Sequence, residues 1–486
     1  MSSLKTRTVR NVSYIGASQI IVLLLTILTM TVLARMLTPE DFGIVSIGMI
    51  FMALFASVQD FGVMQAIVQR DSRIEESISV GLALRWIIAA ILAALVIGLS
   101  SLIADFYGIP AISLVLIVMS LNLFVQPVAF SSQVLLTRRL SFSSIAVATI
   151  AQVVVLAVVS IALALLDFSY WSLVIGSLSG SVALVLVLRY YENSASRPAI
   201  ETRLAKELLG FGKHLLVTGL MAFVIFNIDQ LVIGKVLGIV ALGIYFMAVK
   251  FGRTIGEQIS GTVNKVLFPT MARIKDSVEL LEASYAQSLR MIAILAVPLS
   301  LGVSVLSPLF VEVVLGKGWL DASVPIAILS FQGLLNALIP PAANVLVSIG
   351  KPRYMSVQAT VQAVVMVAAV YPVTILWGIN GVCVLTTALS FAVMVYYLVV
   401  FSSIFKVGFV QMLLPMVPAL ASGLATYALL FVTVMLVEAS SFWLVAFAVL
   451  GATVYFALLH LSSRGRDLRD FLGLLHGAFP QRRVLQ

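Results

Sequence analysis

The chain has 486 residues, 61% of them hydrophobic and only 10% charged, with a formal net charge of +9. A soluble domain uses about 25% charged residues, so this composition cannot cover a water-facing surface, and it excludes a soluble enzyme. In a soluble protein the basic excess would suggest nucleic acid; here its placement explains it instead, and no nucleic-acid partner is expected.

Taken in order, fourteen apolar runs are long enough to cross roughly 30 Å of hydrocarbon as helices. They lie near 12–34, 42–61, 80–104, 111–134, 145–166, 170–190, 214–234, 243–264, 290–312, 324–348, 356–376, 379–400, 410–434 and 439–460. Lipid cannot satisfy open backbone groups, and the period-2 alternation of a membrane barrel is absent. The expected fold class is therefore an all-α polytopic membrane protein of about 14 transmembrane helices. Lys5, Arg7 and Arg10 precede a first run too long for a signal peptide, so it reads as a retained span.

Charge placement orients these spans. With the N-terminus inside and strict alternation, 25 of the 30 lysines and arginines fall on the inner side. Arg35, Lys235 and Lys317 fall outside, and Lys250 and Arg253 fall within a span. The bias follows the positive-inside rule and places both termini in the cytoplasm. A polar stretch at 191–213 divides the chain into a six-helix lobe at 1–190 and another at 214–400. Two added helices at 401–461 and a basic tail at 462–486 complete it.

The second lobe repeats the first. The hairpin TVLARMLTPEDFGIVSIGMI has a counterpart 200 residues later, with Arg35 on Lys235, Leu37 on Leu237, Gly43 on Gly243 and Ile44 on Ile244. Pro127 matches Pro340, and Arg138 matches Lys351, at an offset of 213. Six spans is an even number, so the two copies should be related by an axis along the membrane normal.

No enzymatic constellation stands out: there is no HExxH, GxSxG or Walker loop. The lone Cys383 and the scattered His214, His460 and His476 form no metal motif. The chain is thus expected to be no enzyme and to hold no metal. Charges inside the spans are the sharper signal. Lys250, Arg253 and Glu257 stand at steps of three and four, one face of an α-helix. A mid-helix charge costs roughly 2.5–3.5 kcal/mol, so this face should look into protein or water. It is either an Arg253–Glu257 ladder or the basic wall of a substrate cavity. Asn227 and Asp229 lie mid-span. Asp229 either pairs with Lys250 or Arg253 or carries a coupling ion. Asp60 lies near the inner end of the second span and Glu312 near the outer end of the ninth. Gln126–Pro127 and Pro340–Pro341 with Asn344 interrupt the fourth and tenth spans. Tyr170, Trp171, Trp319 and Tyr371 read as interfacial aromatics.

The segments LARMLTPEDFG (33–43), LLTRRLSF (135–142), FNIDQLVIGKVLG (226–238), LGIYFMAVKF (242–251), LFPTMARI (267–274) and VLGKGW (314–319) stand in a telling order. In that order the chain resembles the polysaccharide-exporting, Wzx-type branch of the multidrug/oligosaccharidyl-lipid/polysaccharide flippase superfamily. The resemblance implies two six-helix lobes around a cavity, two trailing helices, and alternating access. The implied cargo is a glycan on a polyprenyl pyrophosphate, flipped from the inner to the outer leaflet of the bacterial cytoplasmic membrane. It implies no cofactor, with coupling to H+ or Na+. Membrane lipids, a polysaccharide polymerase and a chain-length regulator are the implied partners. Lys250 and Arg253 become headgroup contacts, with Asn227, Gln126 and Asn344 on the substrate. Asp229, Glu257 and Asp60 become ion-coupling residues or counter-charges. The first lobe offers no equivalent of Lys250, whose offset partner is Ile50. An ion-coupled multidrug exporter and a peptidoglycan lipid-precursor flippase remain alternatives on the same fold.

Overall fold

The computed structural model describes residues 2–194, 196–261, 274, 277–406, 408–437 and 440–463, with the side chains of 2–17, 60, 211–215, 278, 409 and 441 excepted. The basic tail and most of the loop after the eighth span lie outside the described residues. Among those described there is no strand. Thirteen helices are long and apolar enough to cross a membrane. One of them, Arg353–Phe405, is 53 residues long and is broken at Gly378, whose φ of 59° and ψ of −151° are not helical. Each piece, 353–377 and 379–405, is by itself long enough to span.

Contacts divide the chain into two units, Met1–Gly243 and Ile244–Gln486. The first unit contains α1 (Ser2–Met36), α2 (Pro39–Asp60), α3 (Val63–Val68), α4 (Ile74–Tyr107) and α5 (Ala111–Ser120). It continues with α6 (Asn122–Arg138), α7 (Phe142–Leu165), α8 (Trp171–Tyr191), α9 (Thr202–Val236) and the start of α10 (Ile239–Ala248). The TPED sequence starts α2 for a clear reason. Thr38 is the N-cap, Pro39 takes the first turn, and Asp41 closes a capping box. Asp41 also accepts a hydrogen bond from Ser169. Four residues further on, the start of α2 meets the start of α10 backbone to backbone. A Cβ on Gly43 would sit 2.1 Å from the Ile239 carbonyl oxygen, and one on Gly243 would sit 1.8 Å from that of Pro39. The contact is reciprocal at the same 200-residue offset seen in the sequence.

The polar stretch after α8 is tied to the helices before it. Leu204 and Leu208, one turn apart on α9, are buried in a cluster with Val63, Ile67, Ile78 and Phe130. Arg70 pairs with Glu207 and Arg73 with Glu201, both at 2.6 Å. The Ala199 N–H donates to the Ser79 carbonyl. Arg138 donates to the carbonyls of Ile67, Val68 and Arg70, fastening the end of α3. The apolar stripe on the first turns of α9 therefore joins that helix to the first unit. The Arg70 hydrogen bond holds the Glu207 carboxyl below its ordinary value of 4.5. A lowered folded value means the pair's contribution is full near neutral pH. It is lost as pH drops below about 4.5 and through the lowered value. Pepsin cleavage within 192–201 should accelerate over that range, and Arg70→Gln should show the fast rate throughout it.

The second unit contains the rest of α10, which passes through a π-helical turn, Val249–Arg253, and runs on as α-helix to Gly261. It continues with α11 (Val278–Phe310), α12 (Ser323–Leu338), α13 (Pro340–Ser348), the broken α14 (Arg353–Phe405), α15 (Phe409–Leu413), α16 (Val417–Met435) and α17 (Ser441–Ser462). Its core joins Tyr285, Ile292, Val297, Val345, Phe401 and Tyr455 among others. Trp319, expected at the interface, is instead 2% exposed. It sits in a 3-10 turn behind Gly316, whose φ of 105° turns the chain so that the indole packs inward.

Prolines inside the helices leave carbonyls without an N–H four residues on. In α11, Pro298 frees the Ile294 carbonyl, and the buried Tyr455 hydroxyl of α17 donates to it at 3.2 Å. Pro308 frees the Ser304 carbonyl, which accepts from Ser307. Removing the Tyr455 hydroxyl strands a buried acceptor. Tyr455→Phe is expected to cost about 1–3 kcal/mol, read as a lowered unfolding temperature in detergent.

Candidate functional site

In the second unit the cationic group is built on the π turn of α10. Such a turn carries one extra residue and re-aims the side chains around it. Lys250 and Arg253 both lie within this turn, and Glu257 lies one turn further on. The Lys250 ammonium lies 5.2 Å from the centroid of the Phe246 ring, a cation–π contact. Arg253, 7% exposed, places its Nε 3.5 Å from the Glu257 carboxylate. That carboxylate also accepts from Asn336 at 2.9 Å. Arg253 thus stands in a ladder with Glu257, and Lys250 lies on the same turn.

Close backbone packing holds this helix in place. Cβ atoms on Gly252 and Gly256 would lie 2.9 Å from the Ile326 carbonyl oxygen and 2.3 Å from that of Gly333. Small residues four apart let membrane helices approach this closely. Further along the seam, the Ser260 hydroxyl donates to the Ala337 carbonyl at 2.7 Å. Asn344, half-buried on α13, follows the Pro340–Pro341 break.

The first unit carries Gln126, Asn227, Asp229 and Asp60. Asp229 is fully buried, and its carboxylate accepts the neighbouring Gln230 N–H at 2.8 Å. Asn227 is half-buried and donates to the Phe223 carbonyl one turn back. Gln126 is half-buried on α6, immediately before Pro127. Asp60 ends α2, and its side chain lies outside the described residues.

Two side chains of the first unit escaped the sequence reading. Arg85, counted on the inner side, is 7% exposed inside α4, with its guanidinium 4.6 Å from the Phe130 ring centroid. The first unit therefore does hold a buried cation, though not at the position of Ile50. Its place in the buried series Ile78, Leu82, Arg85, Ala89, Leu92 and Val96 is the signal that reveals it. The other is Gln59, buried on α2, which donates to the Leu123 carbonyl at 2.7 Å. No sequence pattern marks that partner, 64 residues away.

A family model described as polysaccharide biosynthesis protein matches residues 32–324, more than half of the chain. The chain belongs to this family. It is 26% identical over 358 residues to the lipopolysaccharide biosynthesis protein WzxC of Escherichia coli K12, covering 71% of each chain. It is 27% identical over 338 residues to the succinoglycan biosynthesis transport protein ExoT of Rhizobium meliloti, covering 67% of this chain and 66% of that one. Its fold matches the lipid II flippase MurJ in an inward closed conformation, with a TM-score of 0.74 at 14% identity. That match covers 93% of this chain and 98% of the other. The protein is thus a multi-pass membrane protein of the polysaccharide biosynthesis family, and it shares its fold with MurJ.

Proposed function

We propose that this protein flips polyprenyl-pyrophosphate-linked oligosaccharide repeat units from the inner to the outer leaflet of the bacterial cytoplasmic membrane. The observation that carries the reading is the cation pair Arg253 and Lys250, held inside a membrane helix of a polysaccharide biosynthesis protein. A cation buried in a span is costly, and an anionic cargo is what offsets that cost during transport. The planar donor fork of a guanidinium suits a diphosphate. Gln126, Asn227 and Asn344 supply hydrogen-bonding groups suited to sugar hydroxyls. Asp229 binds the coupling ion, H+ or Na+, with Glu257 and Asp60 as further acidic groups along the same cycle. Alternating access moves the cargo, both termini face the cytoplasm, and a polymerase with a chain-length regulator takes the product.

The test is removal of the gene, followed by mass spectrometry of membrane lipids. Polyprenyl-pyrophosphate oligosaccharide should accumulate and surface polymer should disappear. Restoring the gene with Arg253→Glu should leave both defects in place. Unchanged lipid intermediates together with new sensitivity to cationic dyes would replace this reading with drug export.

A further inference from the structure

We propose that Gln59 and Ser260 are positioning residues that set the bends at Pro127 and Pro341. Both act through backbone carbonyls that the prolines leave without a helical donor. Pro127 frees the carbonyl of Leu123, four residues earlier, and this is the atom that the Gln59 amide reaches at 2.7 Å. Pro341 frees the carbonyl of Ala337, and this is the atom that the Ser260 hydroxyl reaches, also at 2.7 Å. In each six-helix lobe of the sequence reading the donor stands near the end of the second span and the proline interrupts the fourth. Both donor residues are buried, at 2% exposure.

Tyr455 and Ser307 answer Pro298 and Pro308 in the same way. Those two serve α11 alone, whereas Gln59 and Ser260 join corresponding helices of the two repeats. Their placement gives them a role beyond packing. Gln126 directly precedes Pro127, and Asn344 stands three residues after Pro341. Each bond therefore fixes the bend that aims one of the proposed sugar-contacting side chains. This role rests on the proposed function for its purpose, but the bend itself can be measured without a substrate.

The experiment uses the full chain, purified into nanodiscs, in a Cys383→Ala background. Spin labels at Leu121→Cys and Leu140→Cys flank Pro127, roughly 28 Å apart along a helix rising 1.5 Å per residue. Labels at Val324→Cys and Val347→Cys flank Pro341, at roughly 34 Å on the same basis. Gln59→Met keeps the volume and removes the donor, and Ser260→Ala does the same at the other seam. Each should broaden the distance distribution across its own proline. The alternate bend should gain about tenfold in population, equivalent to ~1.4 kcal/mol. Ser260→Thr should restore the native distribution.

The deciding arm is the proline itself. Pro127→Ala supplies an N–H to the Leu123 carbonyl, so Gln59→Met should then have no effect; Pro341→Ala should silence Ser260→Ala likewise. Equal effects with and without the proline would overturn the proposal, as would unchanged distances in the single variants. A Gln59→Met protein that folds only with Pro127→Ala supports it, and one that folds in neither background refutes it. If lipid intermediates are unaffected by loss of the gene, the proposed function falls while these distances still decide the hinge.

Discussion

Gly256→Ala should lower the unfolding temperature sharply, while Gly261→Ala, five residues along, should leave it unchanged or raise it. The added methyl at 256 would sit 2.3 Å from the Gly333 carbonyl oxygen. The obstacle is backbone, so no rotamer change relieves it, and α10 and α12 must separate. Overpacking of this kind costs about 1–3 kcal/mol. Separation also strains the Glu257–Asn336 and Ser260–Ala337 bonds, which lie on the same seam. At 261 a Cβ meets nothing within 4 Å, and replacing a helical glycine by alanine gains about 0.5–1 kcal/mol. The two variants should therefore move in opposite directions in a thermal unfolding assay in detergent. Equal shifts would mean that the seam is not closed at Gly333.

Asp229→Asn should abolish gradient-driven flipping, by more than tenfold, in protein that still folds. The asparagine keeps the shape of the side chain and an oxygen that can accept the Gln230 N–H. It removes the negative charge and the capacity to take up a proton. A fully buried carboxylate is costly to maintain unless its charge is used or balanced. Reconstituted vesicles loaded with a fluorescent lipid-linked glycan would report the rate with and without an imposed ion gradient. Loss of the gradient response at a retained unfolding temperature assigns the carboxylate to coupling. A fall in stability with an unchanged rate per folded molecule would make Asp229 a structural counter-charge only.

Much of this could be read from the sequence, for physical reasons that differ by feature. The spans were legible because hydrocarbon thickness sets their length. The charges within spans at Lys250, Arg253 and Asp229 were legible because a charge among apolar residues is conspicuous. Trp319 was misread because an aromatic near a span end looks alike whether it faces lipid headgroups or the core. The place of the 191–213 stretch was also hidden. Its ion pairs reach back to Arg70 and Arg73, and only the fold brings those partners near. Gln59 and Ser260 were invisible for a related reason, since their partners are main-chain atoms whose availability depends on a proline in another helix.

The π turn at 249–253 has a consequence for how this gene tolerates change in length. Before it, the two copies keep a 200-residue offset, as Gly43 and Gly243 show. After it, the carbonyl-capping donors Gln59 and Ser260 stand 201 apart. An added codon within an ordinary helix would swing every later residue about 100° around the axis. Here the wide turn absorbs that rotation on the spot, so Gly256 still meets Gly333 and Ser260 still meets Ala337. Lineages of this family can be expected to gain or lose a single residue there, while the glycine seam that follows admits no such change.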